Sequence, residues 1–583
     1  MMRETKQPEM PVDAGARQGD TGKPLPKGPD GRDLRVVLLI GLSALIARGL
    51  FLTTPYGMTG DADEAVFGLM AQKIGALEEF PYYCWQAHYA SALVSYVGAV
   101  LFHFLGTGFV QLRLAMLPLA VLTPVILYGV YRRIFPFHLA LAASLFIIFC
   151  PPTYAHLSMA ALGGYGEIFF GTALVIWLCL RLGGRDGAVQ PARSLFSLGV
   201  ACGFLFYVSY FIIPAVLAFA IPAVRRAQSK NDNAQTVCLA GFTVGALPFI
   251  AYNLTSGGGS FTRGASRSFG VGREIVAMAP GEQVVHVLSS KASLVQAWLA
   301  RLPENMGTFL LPGTGSQALA AVVGTAAIGL IAWFSAEALY SRDRWMKARS
   351  SWFRPLAAFL ILYILFCFIA NLDRARHFSG LYVALPACLF ALAKGRLNGE
   401  RTALVALCGL MIIQTLLSFD MFRMRQFDPR PAAAAMRDLG LREFYGSYAS
   451  VYPIMFASES RCMGAPVLAA AGDPLTDRCP DCTARVRAAA SPAFVFLVGE
   501  MEERRAFERF LGERGIAFAV KDVNGTGIYY DLSVPVDVNH DPGRQGRFVV
   551  RRTPAEGVRN GKTGVNHGEA ARKRQVPGSG RAP

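Results

Sequence analysis

The chain has 583 residues, 53% hydrophobic and 17% charged, with a formal net charge of +17. That balance excludes a large soluble enzyme and describes a polytopic membrane protein. The basic excess sits in short clusters between apolar segments and in the two tails, as membrane topology dictates, so no nucleic-acid partner is expected.

Residues 1–33 are polar, with scattered Pro and Gly, and are expected to form a disordered cytoplasmic tail. The first apolar run, Leu34 to Thr54, follows Arg32 and is long enough to span as an uncleaved anchor. Arg48 is its interior charge.

Thr59-Gly60-Asp61-Ala62-Asp63-Glu64-Ala65 comes directly after it and opens a short amphipathic run, Val66 to Leu77. Asp61 and Glu64 have the spacing of a capping box, which satisfies the orphan amides of a helix start. Asp63 is left over. On a helix it shares a face with Val66, Phe67, Met70 and Ile74. Such a carboxylate takes a proton, holds a cation or repels a phosphate, depending on what stands opposite. All three acids are expected near water, so that substitution should alter activity and leave stability alone.

Apolar runs follow at 90–105, 110–131, 137–152 and 168–182. If 90–105 lies along the membrane surface, Arg132-Arg133, Arg181/Arg193, Arg225/Arg226 and the later basic clusters all become cytoplasmic. Spans are then expected near 34–54, 110–131, 137–152, 168–182, 195–208, 210–224, 236–254, 317–340, 353–371, 377–394 and 401–419. Residues 255–310 form a long outer loop, with Arg263, Arg267 and Arg273 and an interfacial amphipathic run from Val284 to Leu302. After Phe419 the composition changes. Residues 425–535 read as a small outer α/β domain, with strands Ala493 to Val498 and Ile516 to Val520 flanking a helix from Glu502 to Arg514. Residues 536–583 read as a disordered basic tail.

Of eleven cysteines, Cys84, Cys462, Cys479 and Cys482 lie outside the apolar segments. Cys479-Pro480-Asp481-Cys482 has redox or zinc half-site spacing, but no second CxxC completes a zinc site. A disulfide from Cys462 to Cys479 or Cys482 is expected in an oxidising compartment.

Three polar constellations share the outer face in this topology: Asp61/Asp63/Glu64, Gly163-Gly164-Tyr165-Gly166-Glu167, and Asp373-Arg374-Ala375-Arg376-His377. The plainer accounts are a tight turn with Glu167 capping its helix, solvated arginines, and a satisfied core histidine. Taken together, carboxylates facing a basic cluster suit a phosphate-bearing lipid on one side and a hydroxyl nucleophile on the other. This admits glycosyl transfer from a lipid phosphate without requiring it.

The run Asp61-Ala62-Asp63-Glu64-Ala65-Val66-Phe67-Gly68-Leu69-Met70-Ala71 resembles the first outer loop of the GT-C glycosyltransferases. It is most similar to the protein O-mannosyltransferase and lipid A aminoarabinose transferase family. The resemblance continues through Gln86 to Leu93, the 163–167 motif, and Arg376-His377 to Pro386, and covers about residues 34–420. It implies a mainly α, polytopic fold of about 11 transmembrane helices, with interfacial outer-loop helices and a small C-terminal α/β extracytoplasmic domain. It implies Asp63 as general base beside Glu64, and Glu167 as a second acid where the family more often has Asp. Arg374 or Arg376, with His377, would meet the donor phosphate. A divalent metal, Mg or Mn, serves some members; Glu64, His88 and His377 are its candidates here. The implied partners are a polyprenyl-phosphate sugar donor, membrane lipid, and an acceptor that is a glycan, lipid or protein. The implied location is a bacterial inner membrane with the active site outside. The rival reading, a transporter or flippase of lipid-linked saccharides, expects mid-membrane charges on broken helices and internal repeats. A noncatalytic scaffold would leave Asp63 unexplained.

Overall fold

The computed structural model describes residues 31–183, 191–229, 231–261, 296, 298–310, 317–340, 350–370, 372, 374–392, 399–423, 427–466, 477–538 and 548–551. All but the last three residues of the expected N-terminal tail, most of the 255–310 loop with its three arginines, Asp373, and nearly all of the basic tail lie outside these residues; 31–33 start the first helix instead. The chain divides into two compact units, Met1–Arg430 with Tyr452–Ser460, and Pro431–Val451 with Arg461–Pro583.

The first unit is helical. Among the described residues, seven helices are long and apolar enough to cross a membrane: Asp33–Leu52, Phe109–Tyr131, Tyr165–Leu182, Tyr210–Gln228, Gln317–Tyr340, Trp352–Ile369 and Leu404–Arg423. Two bent pairs bring the number to as many as nine, Phe137–Ile148 with Pro152–Met159 (74°) and Ala234–Gly245 with Leu247–Thr255 (57°). Two of the eleven expected spans do not reach that length. Ala192–Val208 has 17 residues, and 375–392 starts as a 3-10 helix, Ala375–Ala384, before the α-helix Leu385–Leu392.

Each irregularity has a local cause. The 74° bend falls at Pro151-Pro152, where a missing amide and the restricted residue before each proline stop the first helix. Arg48 from the first span answers the carbonyls that this break leaves over. Its guanidinium donates to Ile148 O (3.3 Å), Ile147 O (3.4 Å) and Cys150 Sγ (3.2 Å), at the negative end of the helix. The short helix Ala192–Val208 gains its place by packing on Ala234–Gly245. Gly199 and Gly203 on one helix face Gly241 and Gly245 on the other. A Cβ at these positions would stand 2.1–2.3 Å from the carbonyl oxygens of Cys238, Phe242, Phe196 and Val200. Small residues four apart let two membrane helices approach at backbone distance.

The segment 90–105 becomes the end of a hairpin, β1 (Tyr83–Cys84) with β2 (Ala87–Ser91), and a 13-residue apolar helix, Leu93–Leu105. At 1.5 Å per residue such a helix is about 20 Å long, short of a roughly 30 Å hydrocarbon core. It packs on the acidic helix Ala62–Gly75, where Ser95 Oγ donates to Phe67 O (2.9 Å).

The second unit holds a five-stranded sheet of order β4-β3-β5-β7-β6, built from Glu443–Gly446 (β3), Met463–Pro466 (β4), Ala493–Phe496 (β5), Ala519–Val523 (β6) and Thr526–Tyr530 (β7). Strand β3 runs parallel to β4 and β5; β7 is antiparallel to β5 and β6. Phe507 and Leu511 of the helix Met501–Glu513 pack on Tyr445, Phe494, Phe496 and Tyr529 to form the core. A small ladder of Val536–Val538 (β8) with Phe548–Val550 (β9) adds to it, so these strands belong to this unit and not to a disordered tail as expected, with Val536, Val538 and Phe548 buried in its core.

Two expectations need correction here. The strand after the helix starts at Ala519, not Ile516. Gly515 takes a positive φ of 65° to end the helix, and Ile516 is buried in the connection instead. The disulfide joins Cys479 to Cys482, with no share for Cys462. Pro480 starts a helix at that point, and one helical turn brings the two Cα atoms to 5.2 Å. Cys462 is buried, its thiol donating to Leu441 O (3.4 Å).

Candidate functional site

The helix Ala62–Gly75 is packed on nearly every side, and its first turn carries the acids. Asp61 is its N-cap, accepting the Glu64 amide on Oδ1 (2.9 Å). The return half of the capping box is not made, because Glu64 turns inward. Its Oε1 accepts Arg113 Nε (2.8 Å) and the Ala161 amide (3.1 Å), and its Oε2 accepts Arg113 Nη2. Arg113 Nη1 donates to Tyr56 O (2.9 Å) and Gly57 O (2.8 Å). Both side chains are fully buried. Burial alone would raise the Glu64 carboxyl, but the Arg113 charge and hydrogen bonds outweigh it and hold the group below its usual range. Glu64 therefore does not stand near water as expected. It pins the helix start to Arg113 of the helix Phe109–Leu114 and to the 161–164 turn.

Asp61 and Asp63 remain half-buried. Burial, and then the charges of Glu64 and Asp63, push the Asp61 carboxyl up to about 7, against the lowering pull of the Glu64 amide and Arg113. A desolvated carboxyl beside two other acids holds its proton more firmly than it would alone.

The second constellation is brought against this helix. Gly163 has a φ of +60°, and a Cβ there would lie 2.5 Å from Phe67 Cζ and 2.8 Å from Ser91 O. Only glycine lets the turn close on the acidic helix. Glu167 is buried; its Oε2 accepts the Gly164 amide (3.1 Å), and Oε1 has no hydrogen-bond partner among the described residues. The capping account of Glu167 thus describes one of its two oxygens.

The third constellation splits. Arg374 is exposed. His377 is buried, its Nδ1 accepting the Arg374 amide (3.3 Å), its carbonyl accepting Tyr363 Oη (3.0 Å), and its ring stacked on Phe211. It serves as a helix-start cap and core ring. Arg376 lies within electrostatic reach of Tyr165 and the acids. Burial opposes its charge, and Tyr165, Asp63, Asp61 and Tyr89 favour it and prevail. Its Nε is buried without a hydrogen-bond partner among the described residues. A desolvated guanidinium with a donor left over is suited to an anion.

The metal candidates do not converge. Both Glu64 oxygens are on Arg113, His88 Nδ1 pairs with Tyr252 Oη, and His377 caps a helix. Among the described residues no three His, Cys, Asp or Glu side chains could hold a metal ion together. These residues do not fit a divalent ion, and no step is assigned to one.

Sequence reasoning passed over Arg113, whose sign was an arginine near the head of an apolar run. It also passed over His156, which lies within electrostatic reach of Glu64, Arg113 and Arg376, with a buried Nδ1 that has no hydrogen-bond partner among the described residues. Nothing in its local sequence distinguishes it.

No family model matches the chain, and no curated protein is similar enough to count as a match. Among solved structures, it is similar to the oligosaccharyltransferase AglB of Archaeoglobus fulgidus in complex with an inhibitory peptide and a dolichol-phosphate. That likeness has 15% identity over 86% of this chain and 74% of the other, with a TM-score of 0.46. It is also similar to ArnT from Cupriavidus metallidurans bound to undecaprenyl phosphate, at 13% identity over 85% and 98% of the two chains and a TM-score of 0.48. The Archaeoglobus fulgidus oligosaccharyltransferase complexed with Zn and sulfate matches at 13% identity, 85% and 72% coverage, and a TM-score of 0.47.

Proposed function

We propose that the chain is an integral membrane glycosyltransferase of the GT-C type. It moves a sugar from a polyprenyl-phosphate donor to an acceptor hydroxyl on the outer side of a bacterial inner membrane. The observation that carries this reading is Arg376, half-buried and within electrostatic reach of Asp63 and Asp61. The resemblance of the 61–71 run supports it independently.

The chemistry is a single displacement. Asp63 takes the proton of the acceptor hydroxyl as its oxygen bonds to the anomeric carbon. The bond from that carbon to the phosphate oxygen breaks, and the lipid phosphate leaves as an anion toward Arg376. Phosphate needs little general acid but gains from a fixed positive charge. Attack from the face opposite the phosphate inverts the anomeric centre. Glu64 positions rather than reacts, through Arg113. Arg374 is left as an outer contact for the phosphate; the occupied His377 acts by shaping the turn that presents Arg376.

The test is incubation of purified full-length protein with radiolabelled polyprenyl-phosphate sugars and a panel of glycan, lipid and peptide acceptors. Label should leave the lipid for one acceptor class. Label that crosses the bilayer in vesicles while still on its lipid would overturn the reading in favour of a flippase.

A further inference from the structure

The Cys479-Pro480-Asp481-Cys482 motif has no part in glycosyl transfer as derived above. Its cysteines are joined by a disulfide at the start of the nine-residue helix Pro480–Ala488, which packs on β4. A bond between residues only three apart closes a very small loop. The restraint that a disulfide places on the unfolded chain grows with its loop, so this pairing is a weak staple, weaker in principle than either link from Cys462. The two sulfurs are also unequal. Cys482 is 9% exposed, while Cys479 is half-buried at the N-cap position. A thiolate at a helix start is favoured by the free amides and the positive end of the dipole, and CxxC spacing puts a second thiol one turn behind it.

We propose that Cys479 and Cys482 form a redox-active dithiol–disulfide pair that exchanges with a thiol substrate, with Cys479 the sulfur attacked. In the first step a substrate thiolate bonds to Cys479 Sγ, the Cys479–Cys482 bond breaks, and the Cys482 thiolate leaves. In the second, another thiolate of the substrate attacks its own sulfur in this mixed disulfide and releases the Cys479 thiolate. The substrate dithiol loses two electrons and two protons and becomes a disulfide; Cys479 and Cys482 take both and become thiols. A substrate disulfide runs the same steps in reverse. The covered position of Cys482 makes it the resolving thiol.

Glutathione is the probe. The full-length protein in detergent is equilibrated with reduced and oxidised glutathione over a wide range of ratios, acid-quenched, alkylated and mapped by peptide mass. The 479–485 peptide should pass reversibly from disulfide to dithiol as one two-electron step, within ratios at which the parent keeps its circular dichroism. In Cys482→Ser, oxidised glutathione should form a mixed disulfide at Cys479. This should be faster, by on the order of tenfold or more, than the reaction of Cys482 in Cys479→Ser. A Cys479–Cys482 bond that persists through the most reducing buffer, or that opens only as the fold is lost, overturns the proposal. The parent titration decides this even if either variant fails to fold.

Discussion

Asp63 and Asp61 stand two residues apart and are expected to behave differently. Asp63→Asn keeps shape and removes the proton acceptor, and should lower turnover by about a hundredfold or more with protein level unchanged. Asp61→Asn keeps the N-cap, since Asn caps about as well as Asp. Its effect should appear in stability. The Asp61 carboxyl binds its proton more tightly in the folded chain, at about 7, than at its ordinary 3.8. Its contribution is therefore full at acid pH and is lost as pH rises through about 7. The thermal midpoint of Asp61→Asn should exceed that of the parent at pH 8 by about 2 °C, with the gap closing toward pH 4. A gap that widens toward acid would reverse the sign of the argument. The sequence displayed these acids plainly, and it misplaced one of them. Capping-box spacing is a local signal, whereas Glu64 answers to Arg113, 49 residues away. A side chain's long-range partner leaves no trace in its neighbours.

At the scale of elements, the Glu64–Arg113 pair and the glycine contacts decide where the site sits. Removing one partner of a buried ion pair leaves the other charge unpaired, so Glu64→Gln or Arg113→Met should cost about 3–5 kcal/mol. The double substitution should cost less than the sum, because neither charge is then stranded. A double variant that costs the full sum of the two single variants in denaturant melts would contradict the pairing. Gly203→Leu should separate Ala192–Val208 from Ala234–Gly245, seen as loss of a crosslink between cysteines placed on the two helices. The hydrophobic runs made most helices legible from sequence, including the short 90–105 segment. The 17-residue helix was legible as apolar, but what holds it was not read, although Gly199, Gly203, Gly241 and Gly245 are spaced four apart. The breaks were also unread: Pro151-Pro152 marks one, yet the partner that makes it tolerable, Arg48, comes from about a hundred residues earlier.

At the scale of the whole molecule, the account needs the acids and Arg376 on one side of a membrane. A cysteine placed at Thr107 should react with an impermeant reagent from outside, and one at Gly187 only after permeabilisation. Labelling of both from the same side would break the topology. The fold class was legible because hydropathy and basic clusters vary over tens of residues. The electrostatic reach between Asp63 and Arg376 was legible only as an expectation, since 313 positions separate them in the chain. The most direct test that the two act together is steady-state kinetics of donor consumption by the parent, Asp63→Asn and Arg376→Gln. Asp63→Asn should lower kcat with donor KM little changed, and Arg376→Gln should raise donor KM and lower kcat together. An Asp63→Asn protein that is folded and turns over its lipid-linked sugar like the parent would contradict the account.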